Sequence, residues 1–188
     1  LKGVFGGQSD SLLSNLRKII KTNLNSQFFP IKEIINDYKG HGKDITFDDD
    51  FVGRLLKTQK DDASCFSILA LLMPDLDYSR ALQKDHIHPA SAFRKEKIGS
   101  YDFITNQDDA DFFQNPENWN SILNLHLLDE SRNKSKQDRP FADWFGEQDG
   151  VSLASLLIPE DAPLEFKSFR EFIDKRTIHL SKILNDLS

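Results

Sequence analysis

The sequence predicts a mainly α fold: a helical domain with one short strand–loop–strand–helix segment embedded in it. Three observations predict this. Apolar residues recur at helical spacing through the first 75 residues. That spacing dissolves after Pro74: 76–91 has no clean helical stripe, and 124–128 is a short apolar run. It returns from about Leu164 and continues to the end. Periods of 3.6 and 2 separate helices from strands because they reflect which side chains share a face.

Each element has its own signals. In SDSLLSNLRKIIK, Leu12, Leu13, Leu16, Ile19 and Ile20 form a stripe, with Ser9 or Asp10 placed to cap it. In FPIKEIINDYKG, Pro30 opens a helix and Gly40 closes it, with Ile31, Ile34, Ile35 and Tyr38 on one face. Phe51, Val52, Leu55 and Leu56 follow the acidic run Asp48–Asp50, which suits the positive end of a helix dipole. DASCFSILALLMPD reads as a helix buried on most sides and stopped by Pro74. LDYSRALQKDHIHPAS reads as one or two short strands, 94–118 as a long polar loop, and NLHLL as a strand. A helix then starts at Asp129 or Ser131 and ends before Pro140. FADWF precedes a linker around Gly146 to Gly150. Phe169, Phe172, Ile173, Leu180, Ile183, Leu184 and Leu187 carry the last helix.

The totals set bounds. A length of 188 residues fits one domain or one plus a small appendage, and 15 Phe suffice for a core. No apolar run approaches the ~20 residues of a membrane span. The opening shows no signal peptide and no initiator Met, so the chain reads as part of a longer protein. The single cysteine, Cys65, lies in an apolar helical run, which fits a reducing, cytoplasmic setting. The net charge of −6 disfavours nucleic-acid binding by the whole surface. Two basic clusters stand out locally: Arg94, Lys95 and Lys97, and the run Arg132, Lys134, Lys136 and Arg139, opposed only by Asp138.

The chemistry concentrates in DHIHP (85–89), NLHLL (124–128) and SRNKSK (131–136). A neutral His titrates near neutrality and can take a proton from an attacking water. A hard divalent cation, held by a carboxylate such as Asp85 and an amide such as Asn133, can neutralise phosphate charge. A strand end or bulge at Asp85 and His86 can turn both toward one cleft.

These stretches resemble the ββα-metal, or HNH, nuclease motif. KDHIHPASAF, NLHLLDESRNKSKQDRPFADWF and FKSFREFIDKR are similar to the C-terminal region of GmrSD-like modification-dependent restriction and phage-defence endonucleases. The resemblance covers most of the chain and is most specific over 84–145. It implies a helical domain with an embedded ββα-metal (HNH) finger. Its parts would be a helical subdomain at 1–78, a nuclease core at 79–145, and a linker and C-terminal helix at 146–188 packing on the helical part. It implies Asp85 and Asn133 as ligands of Mg²⁺ or Mn²⁺, His86 as general base, and Asn124 as the residue bracing the loop against the His-bearing strand. Lys134, Lys136 and Arg139 would contact DNA phosphates. The expected activity is metal-dependent hydrolysis of DNA in anti-phage defence. An N-terminal nucleotide-hydrolysing sensor would act beside it, and a homo-oligomer is compatible. No Gly-rich phosphate loop is present: FGGQSD lacks the GK[ST] ending. Two alternatives stand beside this reading, an RNA-cleaving toxin-like nuclease and a catalytically silent DNA-binding or assembly module.

The remaining candidates read as structural. His88 suits packing, His126 has no assigned role, His41 sits in a turn, and His179 is expected exposed. Trp119 and Trp144 suit the core, and Asp108, Asp109 and Asp111 lie in the long loop.

Overall fold

A computed structural model describes every residue except 1, 4, 5, 8, 26, 27, 187 and 188, so Leu187 of the last apolar stripe lies outside the described residues. The chain forms two compact units, 1–48 and 49–187.

In the first unit, α1 (Asp10–Thr22) and α2 (Ile31–Tyr38) bury Leu12, Ile34 and Tyr38. Leu16, Ile19 and Ile45 pack partly buried around them. The Tyr38 hydroxyl is placed 3.2 Å from the Leu12 carbonyl and donates to it. Pro30 stands just before α2 and Gly40 just after it with φ +77°, a left-handed turn open to glycine.

The second unit is mainly helical around one two-stranded antiparallel sheet. Two helices, α3 (Asp49–Leu56) and α4 (Cys65–Leu72), come first. Asp49 and Asp50 occupy the first turn of α3, where they meet the helix dipole. Cys65, Ile68 and Leu69 of α4 are fully buried. Strand β1 (Leu82–His86) pairs with β2 (Leu125–Asp129), with Asp85 opposite His126 and His86 opposite Leu125.

Between the strands lies a polar segment that the sequence presents as loop. It contains three short helices: α5 (Lys95–Ile98), α6 (Gln107–Gln114) and α7 (Pro116–Trp119). The Asn106 side chain accepts from the Asp109 N–H to cap α6, and Asn115 accepts from Glu117 N–H to cap α7. Asn at an N-cap and Pro at the first helical position are start signals. Few apolar residues follow them, so periodicity alone misses the helices.

Helix α8 (Glu130–Lys136) begins where the Asp129 carboxylate accepts from the N–H groups of Ser131 and Arg132. It packs on both strands. Helix α9 (Phe141–Gly146) buries Phe141 and Trp144. The last helix, α10 (Phe169–Asp186), starts five residues later than the apolar pattern predicts, because a 3₁₀ turn over Phe166–Ser168 precedes it. It packs on α3, α4 and α6.

Strand β2 is buried on both faces, and His126 packs against Phe141 and Trp144 of α9. Arg176 of α10 is fully buried and has only carbonyl partners. It donates to Leu123 (2.9 Å), Leu125 (3.0 Å) and Leu157 (3.1 Å), tying α10 to the start of β2.

Candidate functional site

Asp85, His86, Asn133 and Lys134 line one cleft of about 470 Å³ together with Lys60, Pro89, Ala90, Gln137 and Asp138. The hairpin brings the first two to its end, and α8 brings the others across from it. Three sequence candidates are placed elsewhere. Lys136 projects inward with none of its side chain at the surface. Asn124 is buried behind the cleft. Arg139 pairs with Glu147 at 2.5 Å.

Asn124 shows why the segment after β1 holds its shape. Its Oδ1 accepts from His88 N–H at 2.9 Å, and its Nδ2 donates to the His88 and Trp119 carbonyls at 3.0 and 2.8 Å. The Asn124 carbonyl also accepts from Ile87 N–H at 2.8 Å. A fully buried amide with these partners carries no unmet hydrogen-bonding cost.

The Asp85 carboxylate is committed inside the protein. Its Oδ2 lies 2.9 Å from the Lys136 ammonium and 3.2 Å from His126 Nε2. Burial alone would raise its pKa, but the His126 hydrogen bond and the Lys136 charge outweigh that and hold it at about 2. Lys136 also donates to the His86 carbonyl at 2.5 Å. Burial pushes the Lys136 pKa down against the pull of Asp85. Burial also holds His126 down to about 4, so it is neutral and donates through Nε2, leaving Nδ1 without a partner.

The His86 ring is engaged at both nitrogens. Nε2 is 2.9 Å from Asn120 Oδ1, and Nδ1 is 3.5 Å from the Lys60 ammonium. Burial lowers its pKa, which Asn120 only partly offsets. The consistent tautomer is Nε2–H donating to Asn120, with the Nδ1 lone pair accepting from Lys60. Trp119 stands 5.8 Å from the ring.

Lys60 and Asn120 escape the sequence reading. They arrive together because 58–60 pairs with 120–122: Lys60 N–H donates to Asn120 and Ile122 N–H to Thr58. An isolated bridge joins Gln59 to Ser121. Lys60 is 26 residues from His86 and belongs to no motif, so no sequence signal marks it. Of the α8 candidates, Asn133 donates to Gln83 and Lys134 pairs with Glu130 at 2.6 Å.

No family model and no curated protein matches this chain.

Among the described residues, no group of three or more His, Cys, Asp or Glu side chains is placed to hold a metal ion. That finding corrects the ββα-metal (HNH) finger and the GmrSD-like identity drawn from the resemblance. A strand–strand–helix arrangement is present, but it is not a metal finger. Physically, the Asp85 charge is already matched by the buried Lys136 ammonium 2.9 Å from its Oδ2, so a cation on that carboxylate would stand beside a second positive charge. The assignment of Asp85 and Asn133 to Mg²⁺ or Mn²⁺ is corrected with it. So are the metal-dependent endonuclease, its restriction or anti-phage role, and the partners tied to that activity, DNA and a nucleotide-hydrolysing sensor. No helix among the described residues is long and apolar enough to cross a membrane.

Two other placements differ from expectation or refine it. His179 is half-buried rather than exposed. His88 is buried among phenylalanine rings, as packing requires.

Proposed function

We propose that this chain is a catalytically silent binding and assembly module, which takes an anionic group of a partner at the cleft around Lys60. The observation that carries this is the state of His86. A general base needs a lone pair facing its substrate. Here Nε2–H is spent on Asn120, and the Nδ1 lone pair faces an ammonium. The Lys60 ammonium, in contrast, has no carboxylate within ion-pair distance among the described residues, and it lies at the cleft. Lys134 and Asn133 complete the recognising groups, and Asp85, Lys136 and Asn124 act as the frame that shapes the wall behind them. Arg139 orders the loop after α8 through Glu147. We place the module in the cytoplasm, a reading supported by its single cysteine, Cys65, a buried thiol in α4.

Two measurements test this. The chain is incubated with plasmid and with RNA, each with Mg²⁺ and with EDTA, and no cutting is expected. Inorganic phosphate is then titrated while the His86 ring resonances are followed by NMR. They should shift saturably, and Lys60→Ala should weaken the apparent affinity about tenfold, the scale of one hydrogen bond to a charged group. Cleavage that disappears in His86→Ala and in EDTA would overturn the silent reading. Ring resonances unmoved by phosphate would reject the anion site.

A further inference from the structure

His88 is a buried titratable group of the second unit that the cleft does not use. Its ring is 1% exposed and bordered by four phenylalanines. Phe172 and Phe169 of α10 meet it edge-on with centroids at 4.8 and 5.4 Å. Phe166, just before α10, stands at 5.9 Å and Phe141 of α9 at 6.1 Å. Its Nε2 is buried with no hydrogen-bond partner. Asn124 pins its backbone from the other side.

The charged groups that act on this ring are both cations: Lys136 from α8 and Arg176 from α10. The rings contributed by α9 and by the turn before α10 are uncharged, and the Asn124 segment presents a neutral amide. No carboxylate faces the imidazole to receive an added charge. We propose that His88 is an acid-sensitive latch: a proton gained by its imidazole releases α10 from the β1–β2 hairpin.

Geometry decides which side parts. The hairpin is stitched by backbone hydrogen bonds and braced by Asn124. Across the seam, α10 is held by ring packing on His88 and by the Arg176 donors. An imidazolium would stand as a third cation beside Lys136 and Arg176, inside an apolar cage with nothing to accept its Nε2–H. Opening α10 gives that proton water and separates the Arg176 charge from it. Burial, reinforced by those two cations, keeps the closed-state pKa down at about 3, whereas an exposed His binds its proton near 6.5. The open form therefore takes up one more proton than the closed form as acid is added. The seam should weaken about tenfold per pH unit across the interval between those values.

The test is amide hydrogen exchange of the whole chain from pH 7 to pH 4, with the intrinsic pH dependence of exchange divided out. Protection of Ile173 and Leu180 in α10 should fall about tenfold per pH unit below 6.5 and should lie below that of Ile68 and Leu69 in α4 at each pH. His88→Phe, which keeps the ring packing and removes the proton site, should make the α10 protection flat. If α10 and α4 share one protection at every pH, the opening is global and the latch is wrong. An unchanged slope in His88→Phe would also overturn it. Should that variant fail to fold, NMR titration of the wild-type ring decides: an imidazole that protonates near 6.5 while α10 stays protected refutes the latch.

Discussion

The Lys136 ammonium sits 2.9 Å from the Asp85 carboxylate, with none of its side chain exposed. An ion pair this deep is a poor source of net stability, because removing two charges from water costs nearly what their attraction returns. Breaking it from one side is a different matter, since the survivor is left buried and unpaired. Lys136→Met should cost about 3–5 kcal/mol. The double replacement Asp85→Leu with Lys136→Met should recover most of that loss, though His126 Nε2 then loses its acceptor. Urea denaturation of both variants checks this. If Lys136→Met melts like the wild type, the pair is not buried in solution. In the sequence Lys136 sits in a basic run and reads as a surface contact to phosphate. Only its placement at the last residue of α8, over the hairpin, turns it inward.

At the scale of the element, α8 ends on Gln137 with φ +45° and ψ −132°. A side chain is strained there, because Cβ crowds the neighbouring carbonyl in the left-handed half of the backbone map. Gln137 is exposed and lines the cleft, so glycine loses little contact and relieves that strain. Gln137→Gly should raise stability by about 1 kcal/mol, the lower end of what such conformations cost. A thermal melt reads this directly, and a lower melting temperature would mean that the side chain holds the turn. The helix itself was legible: Asp129 caps it as its position before SRNKSK suggests. The second strand was legible too, as a short apolar run around Leu125, Leu127 and Leu128, all buried. The capped helices α6 and α7 were not, because their caps introduce short polar segments whose burial comes mainly from one residue, Phe113.

For the whole molecule, stability should fall with acid earlier than carboxylates alone would dictate. His88 and His126 have folded pKa values held down at about 3 and about 4 by burial. Unfolding restores both to about 6.5. Between 6.5 and those lower values the unfolded chain binds more protons, so stability declines as pH drops through that window. His86 is shifted the same way by burial and adds to it. Asp85 acts lower down: its depressed pKa of about 2 gives stability that is full above about 3.9 and lost as pH falls through 2. Denaturation midpoints taken from pH 7 to pH 3 should therefore begin to fall near pH 6.5. Midpoints that stay level until pH 4 would show that neither histidine is buried neutral. The acid response belongs to no single element, since the rings that enclose these histidines come from α9, α10 and the turn before it.

The sequence by itself indicated the helical class and short strands within 76–91 and at 124–128, through local periodicity and capping. That Asp85, His86, Asn133 and Lys134 share a site was an expectation of the resemblance, and the structure places all four on one cleft. Tertiary structure decided what those side chains face. Asp85 turns to Lys136 and His126, His86 turns to Lys60 and Asn120, and His88 turns to the phenylalanines of α10. Each of those partners lies 26 to 84 residues away or across a strand, and only packing brings them within reach. A motif constrains spacing along the chain. Whether a carboxylate meets a metal or an ammonium depends on which distant residue fills the space behind it, and here a buried lysine fills it.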